Sequence, residues 1–157
     1  MKQKSRFRGL IFCGAFVLIS TFAFAQTPRQ STNQKALKKY NEALVALEDN
    51  RSTEGIALLG NALQIDSNFI DAYLSLAGAL GNTKQYKKAV TVYERARLKD
   101  SIYFTPYLLP YAINLAGLGQ FEEALTAIRN FLTLDGLSGR SIKAAQYRKK
   151  TFEFAVS

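Results

Sequence analysis

The 157-residue sequence contains no histidine and a single cysteine, Cys13. Without an imidazole, the commonest general base and metal ligand is missing. Cys13 falls inside the leader described below, so the remainder has no residue for thiol chemistry or thiolate metal binding. No glycine-rich phosphate loop occurs. Glu122 and Glu123 are adjacent carboxylates, but neighbours on a helix point in different directions, so they read as a solvated first turn. No segment sustains the alternation of a strand. These absences argue against an enzyme: no catalytic residue, metal ligand or cofactor is assigned.

The first 25 residues have the form of an address. Lys2, Lys4, Arg6 and Arg8 precede an apolar run from Gly9 to Phe22. Ala23-Phe24-Ala25 then supplies the small–large–small pattern of a cleavable secretory signal. Cleavage before Gln26 leaves a polar stretch, 26–33, expected to be disordered. The competing reading is a retained anchor, since the run reaches the lower length limit for spanning a bilayer. The formal charge is +9 from 21 basic and 12 acidic residues. Removing the four leader cations leaves 17 against 12, a modest excess that gives no reason to expect nucleic acid. The rest is long enough for one domain. The expected location is the periplasm or the outer membrane.

The dominant positive feature is an internal repeat. Tyr73, Leu76, Ala77, Leu80, Tyr86, Ala89, Tyr93 and Ala96 match Leu108, Tyr111, Ala112, Leu115, Phe121, Ala124, Ile128 and Phe131 in order and size, 35 positions on. Ala43, Ala46, Gly55, Leu59 and Ala62 form a weaker copy about 34 positions earlier. A period of this length marks stacked helix pairs that bury their apolar faces on one another. Helical periodicity runs over 34–49, 52–66, from 67 or 68 to 80, over 83–98, to Gly117 and over 120–134, with a last helix over 141–154. Ser52 is the expected cap of the second helix. Residues 99–101 read as a connector. Pro106 suits a first turn, while Pro110 either delays the fifth helix to Leu108 or bends it.

The motif Tyr73-x-x-Leu76-Ala77-x-x-Leu80 with Tyr86-x-x-Ala89-x-x-x-Tyr93-x-x-Ala96 resembles the tetratricopeptide repeat. The resemblance covers about residues 36–138. Ser101 stands at the consensus proline, Lys39 at an aromatic position of the first copy, and Phe131 at a small-residue position of the last. It implies an all-α, right-handed α-solenoid with repeats near 36–69, 70–104 and 105–138, closed by a capping helix at 141–154. The wider layout, a leader followed by repeats and Ala144-Ala145-Gln146-Tyr147-Arg148-Lys149-Lys150-Thr151-Phe152, is similar to the start of a family of Bacteroidota envelope proteins. In that family, repeats precede a WD-type propeller and often a peptidoglycan-binding domain similar to that of outer membrane protein A.

In this repeat class the first helix of each pair lines a concave groove. Placing the consensus on the chain assigns to it Tyr40, Leu44 and Leu47, then Asp71, Leu74, Gly78 and Asn82, then Leu109, Ile113 and Ala116. Leu44, Gly78 and Ile113 occupy positions where the family's carboxylate clamp places asparagines, so that mode is not expected. The resemblance implies a scaffold that holds a helical or extended apolar segment of a protein or peptide partner. Small-molecule substrates are not expected. The last helix is expected to cap the stack with Ile142, Ala145, Phe152 and Tyr147. Its basic residues, Arg140, Lys143, Arg148, Lys149 and Lys150, offer an alternative role in weak contact with anionic membrane. A further alternative is that the chain is a truncated remnant of a larger envelope protein.

Overall fold

A computed structural model describes residues 30–157. The leader and the expected cleavage site lie outside the described residues. Of the stretch 26–33, residues 30–33 are among the described ones. Ser31 is buried and its Oγ accepts from the Asn33 N–H, while Asn33 Oδ1 caps the first helix by accepting from the N–H groups of Lys35 and Ala36. The cap satisfies donors that a helix start otherwise leaves unpaired.

The described residues are all-α and fold as helix pairs. α1 (Gln34–Glu48) pairs with α2 (Ser52–Ile65), and α3 (Ile70–Asn82) with α4 (Tyr86–Lys99). The third pair is α6 (Leu108–Gly117) with α7 (Phe121–Leu132). A short α5 (Ser101–Phe104) and a 3-10 turn (Thr105–Tyr107) precede α6, and α8 (Gly139–Val156) closes the chain. The second helix of each pair packs on the next element: α2 on α3, α4 on α6, and α7 on α8. The order is that of a stacked array.

The same turn joins the two helices of all three pairs. Asn50, Lys84 and Gly119 stand at φ 60°, 59° and 79°, spaced 34 and 35 positions apart. Their N–H groups bond to the carbonyls of Leu47, Gly81 and Ala116. The next residues, Arg51, Gln85 and Gln120, reach back to the carbonyls of Ala46, Leu80 and Leu115. This double closure is the Schellman motif, which pairs the last carbonyls of a helix through one left-handed residue. Arg51, Gln85 and Gln120 then serve at once as N-caps of the following helices, without side-chain cap bonds. Ser52, expected as a cap, is therefore the first residue inside α2. Likewise α4 begins at Tyr86 rather than Thr83, because residues 83–85 belong to the turn.

Between pairs an aspartate does the work. Asp66 and Asp100 leave their helices in extended conformation, and their carboxylates accept from the N–H groups of Asn68 and Tyr103. The expected connector at 99–101 thus becomes the entry to α5. Of the two readings of Pro110, the delayed start holds: α6 begins at Leu108, so the missing N–H falls in a first turn that has no intrahelical acceptor for it.

Two apolar clusters result. The larger joins the second and third pairs and α8 through Ile70, Leu74, Tyr93, Phe104, Leu115, Ile128 and Phe152. The smaller, at the first pair, is mostly alanine, with Leu59 and Phe69 as its bulk. Small residues set the helix spacing. A Cβ on Gly55 would stand 2.6 Å from the Leu47 side chain, and one on Gly117 2.6 Å from the Tyr86 ring. In α8, Ala145 and Phe152 are buried, with Ile142 partly so. Tyr147, expected in the cap, points out and is 70% exposed.

Candidate functional site

The concave assignment is met unevenly. Leu44 and Ile113 are half-buried and belong neither to the two clusters nor to the side chains packed against them. Among the described residues they are the large apolar groups of the assigned set outside both clusters. Leu74 is a correction: at 4% exposure it lies in the larger cluster and offers nothing to a ligand. The cause is the segment 101–107, whose Phe104 enters the same cluster and whose Tyr103 covers Asp71. Leu47 is a second correction, since its side chain fills the space left by Gly55 in the α1–α2 contact. Leu109 and Ala116 are half-buried against the larger cluster.

The remaining assigned residues fall into two neighbouring sets. Tyr40 and Asp71 belong to an aromatic, hydrogen-bonded wall. The Tyr103 hydroxyl donates to Asp71 Oδ1 at 2.7 Å, and the Tyr40 hydroxyl lies 3.3 Å from Ser75 Oγ. Tyr107 stands beside Tyr103, ring centroids 6.4 Å apart. Burial, then the charge of Asp71 and the phenol of Tyr40, hold the Tyr107 hydroxyl above its usual pKa, so it stays a neutral donor. Tyr40 and Ser75 are 35 positions apart, one more than the 34 that separates the first two copies, so the contact joins near-equivalent positions of successive first helices.

Gly78, Asn82 and Ile113 form the second set, a recess of about 130 Å³ shared with Gly81, Tyr86, Tyr93, Pro110 and Asn114. No charged side chain lines it. Asn114, only 5% exposed, donates through Nδ2 to the Pro110 carbonyl at 2.7 Å. Its Oδ1 is buried without a partner. Gly81 lies within α3, which runs past the expected end at 80 to Asn82, and makes room for this amide: a Cβ there would come within 2.6 Å of Oδ1.

The sequence reading missed Ser75, Tyr93, Tyr103, Tyr107 and Asn114 as groove residues. One signal could have found Asn114, since its counterpart 35 positions earlier is the buried Ala79, making it a polar residue in an apolar slot.

No family model and no curated protein matches the chain. Solved structures do. The Yersinia enterocolitica type III secretion chaperone SycD, in complex with a peptide of the translocator YopD, superposes with a TM-score of 0.70 at 13% identity, covering 80% of this chain and 98% of that one. The first tetratricopeptide-repeat domain of Spaghetti (RPAP3), bound to an HSP90 peptide, gives 0.71 at 17% identity, over 82% and 98%. PcrH in complex with the chaperone-binding region of PopD gives 0.64 at 14%, over 81% and 96%. The fold is that of a tetratricopeptide-repeat domain.

Proposed function

We propose that the protein is an exported, non-catalytic scaffold whose concave groove holds a helical or extended apolar segment of a partner protein. The observation that carries this reading is the state of Leu44 and Ile113, half-buried apolar side chains on first helices that belong to neither core cluster among the described residues. The tyrosine wall beside them supplies rigid surface, and the Tyr107 hydroxyl a neutral donor, suited to peptide main chain. Asp71, the one charged residue placed on this wall, disfavours an acidic terminus there. The peptide complexes of SycD, RPAP3 and PcrH support a peptide-holding role for a domain of this shape. The leader supports export, and the layout supports a place in the envelope, in outer-membrane assembly or protein secretion.

The test is crosslinking and capture from envelope fractions, comparing the native chain with Leu44→Glu plus Ile113→Glu. Both positions lie outside the core, so the variant should keep its helical circular dichroism. A partner captured by the native chain and lost with the folded variant supports the groove. The same partners with both, or none with either, would overturn it.

A second reading is favoured by one observation. Among the basic residues of α8, Tyr147 and Phe154 are 70% and 84% exposed, the pairing of aromatic and cation found on membrane-surface helices. Binding to anionic vesicles that collapses at high salt and with Phe154→Ser would support it. No helix among the described residues is long and apolar enough to cross a membrane.

A further inference from the structure

The recess between α3, α4 and α6 contains the one buried side-chain polar atom among the described residues without a hydrogen-bond partner, Asn114 Oδ1. A buried acceptor left unpaired is costly, and natural cores avoid it. This one cannot be relieved by turning the amide over, because Nδ2 is already committed to the Pro110 carbonyl at 2.7 Å. Oδ1 itself is closed to solvent and lies against Gly81, with the recess beside it. Gly78 and Gly81 strip two positions of α3 of side chains, and a Cβ on Gly78 would meet only the Tyr93 hydroxyl, at 3.9 Å. That hydroxyl forms no hydrogen bond among the described residues, and burial pushes its pKa up to about 12, so it remains a proton donor at any physiological pH. The recess therefore pairs a free acceptor with a free donor and carries no charge.

We infer that this recess is a subsite for a neutral carboxamide, the side chain of an asparagine or glutamine in the docked segment, whose N–H₂ donates to Asn114 Oδ1 and whose carbonyl accepts from the Tyr93 hydroxyl. The volume, about 130 Å³, suits a group of roughly four or five heavy atoms, somewhat less than a cavity that holds benzene. A charged side chain is excluded, because nothing lining the recess would neutralise it. A purely apolar one leaves the acceptor buried and unpaired, which is the basis on which such sites discriminate. The inference rests on the groove reading only for the source of the amide; the recess itself is tested without a partner.

The experiment is an amide-resolved nuclear magnetic resonance titration of the protein with acetamide, with N,N-dimethylacetamide as the analogue lacking a donor. Acetamide should give saturable shifts at Gly78, Gly81, Tyr93, Ile113 and Asn114, with a dissociation constant on the order of millimolar for so small a ligand. The dimethyl analogue should bind at least ~10-fold more weakly. Asn114→Leu, of similar size and apolar, should abolish the response, and so should Gly78→Leu, whose side chain occupies the recess. Equal binding of both amides, no saturable shift, or an undiminished response in either folded variant would overturn the subsite. The outcomes separate cleanly from those of the groove: amide binding without partner capture removes the groove reading and leaves the recess. Partner capture that is indifferent to Gly78→Leu does the reverse.

Discussion

Asn114 is where single-residue energetics are most exposed. Its Oδ1 lies buried without a partner, while Nδ2 makes one bond to a carbonyl. Asn114→Leu exchanges both for apolar contact, relieving an unpaired acceptor at the loss of one modest bond, and should raise unfolding stability by about 1 kcal/mol in denaturant titration. Tyr93 makes a prediction in pH. Burial, and secondarily Tyr107, raise its pKa from 10.0 to about 12. The folded chain thus holds this proton more tightly than the unfolded chain does. The stabilisation is complete below pH 10 and is lost as pH rises from there towards 12, on the order of 1.4 kcal/mol per pH unit. Tyr107 and Tyr111 are raised in the same direction and add to the loss. Melting temperature followed from neutral to strongly alkaline pH, alongside tyrosinate absorbance, checks this. Tyr93→Phe should flatten part of the decline.

At the scale of the element, the three helix-to-helix turns share one geometry and three chemistries. Only Gly119 occupies the left-handed position without strain; Lys84 and Asn50 adopt it despite their Cβ atoms. Lys84→Gly should therefore stabilise the chain by about 0.5–1 kcal/mol. Gly119→Ala, whose Cβ would meet nothing within 4 Å, should cost about 1 kcal/mol through backbone strain alone. Thermal denaturation of the two variants tests both signs. These turns also show what the sequence discloses. The helix pairs and their small-residue contacts were legible, because size and spacing recur at 35 positions. The turn at Lys84 was not, since nothing in a lysine advertises a positive φ. Leu74 was misassigned for a related reason: periodicity tells which face of α3 is apolar, but the burial of that face depends on α5 and the 3-10 turn folding over it, which the spacing of the repeat does not show. Asn114 was legible in principle, through its register with Ala79, yet its value depends on a cavity that only packing reveals.

For the whole molecule, the division of the core matters more than its size. The first pair rests on a small, alanine-rich cluster, whereas the second and third pairs and α8 share a cluster containing Tyr93, Phe104, Phe131 and Phe152. In a stacked array each unit is held by its own core and its neighbours alone, and an end unit has one neighbour. Native-state hydrogen exchange should find α1 and α2 opening at a lower free energy than α4 and α7, with the difference surviving in Tyr40→Phe. If all helices exchange through one global event, the two clusters act as one.

The turns at Asn50, Lys84 and Gly119 have a consequence for how such a chain can change its length. Each is closed by its own backbone bonds, so a cut at one and a splice at another joins a finished helix end to a finished helix start. A segment taken from one turn to the next is a self-contained module, and duplicating it lengthens the inner face by one first helix without requiring a new joint. The chain can be edited in whole words, and what a longer or shorter version can grip changes in the same discrete steps.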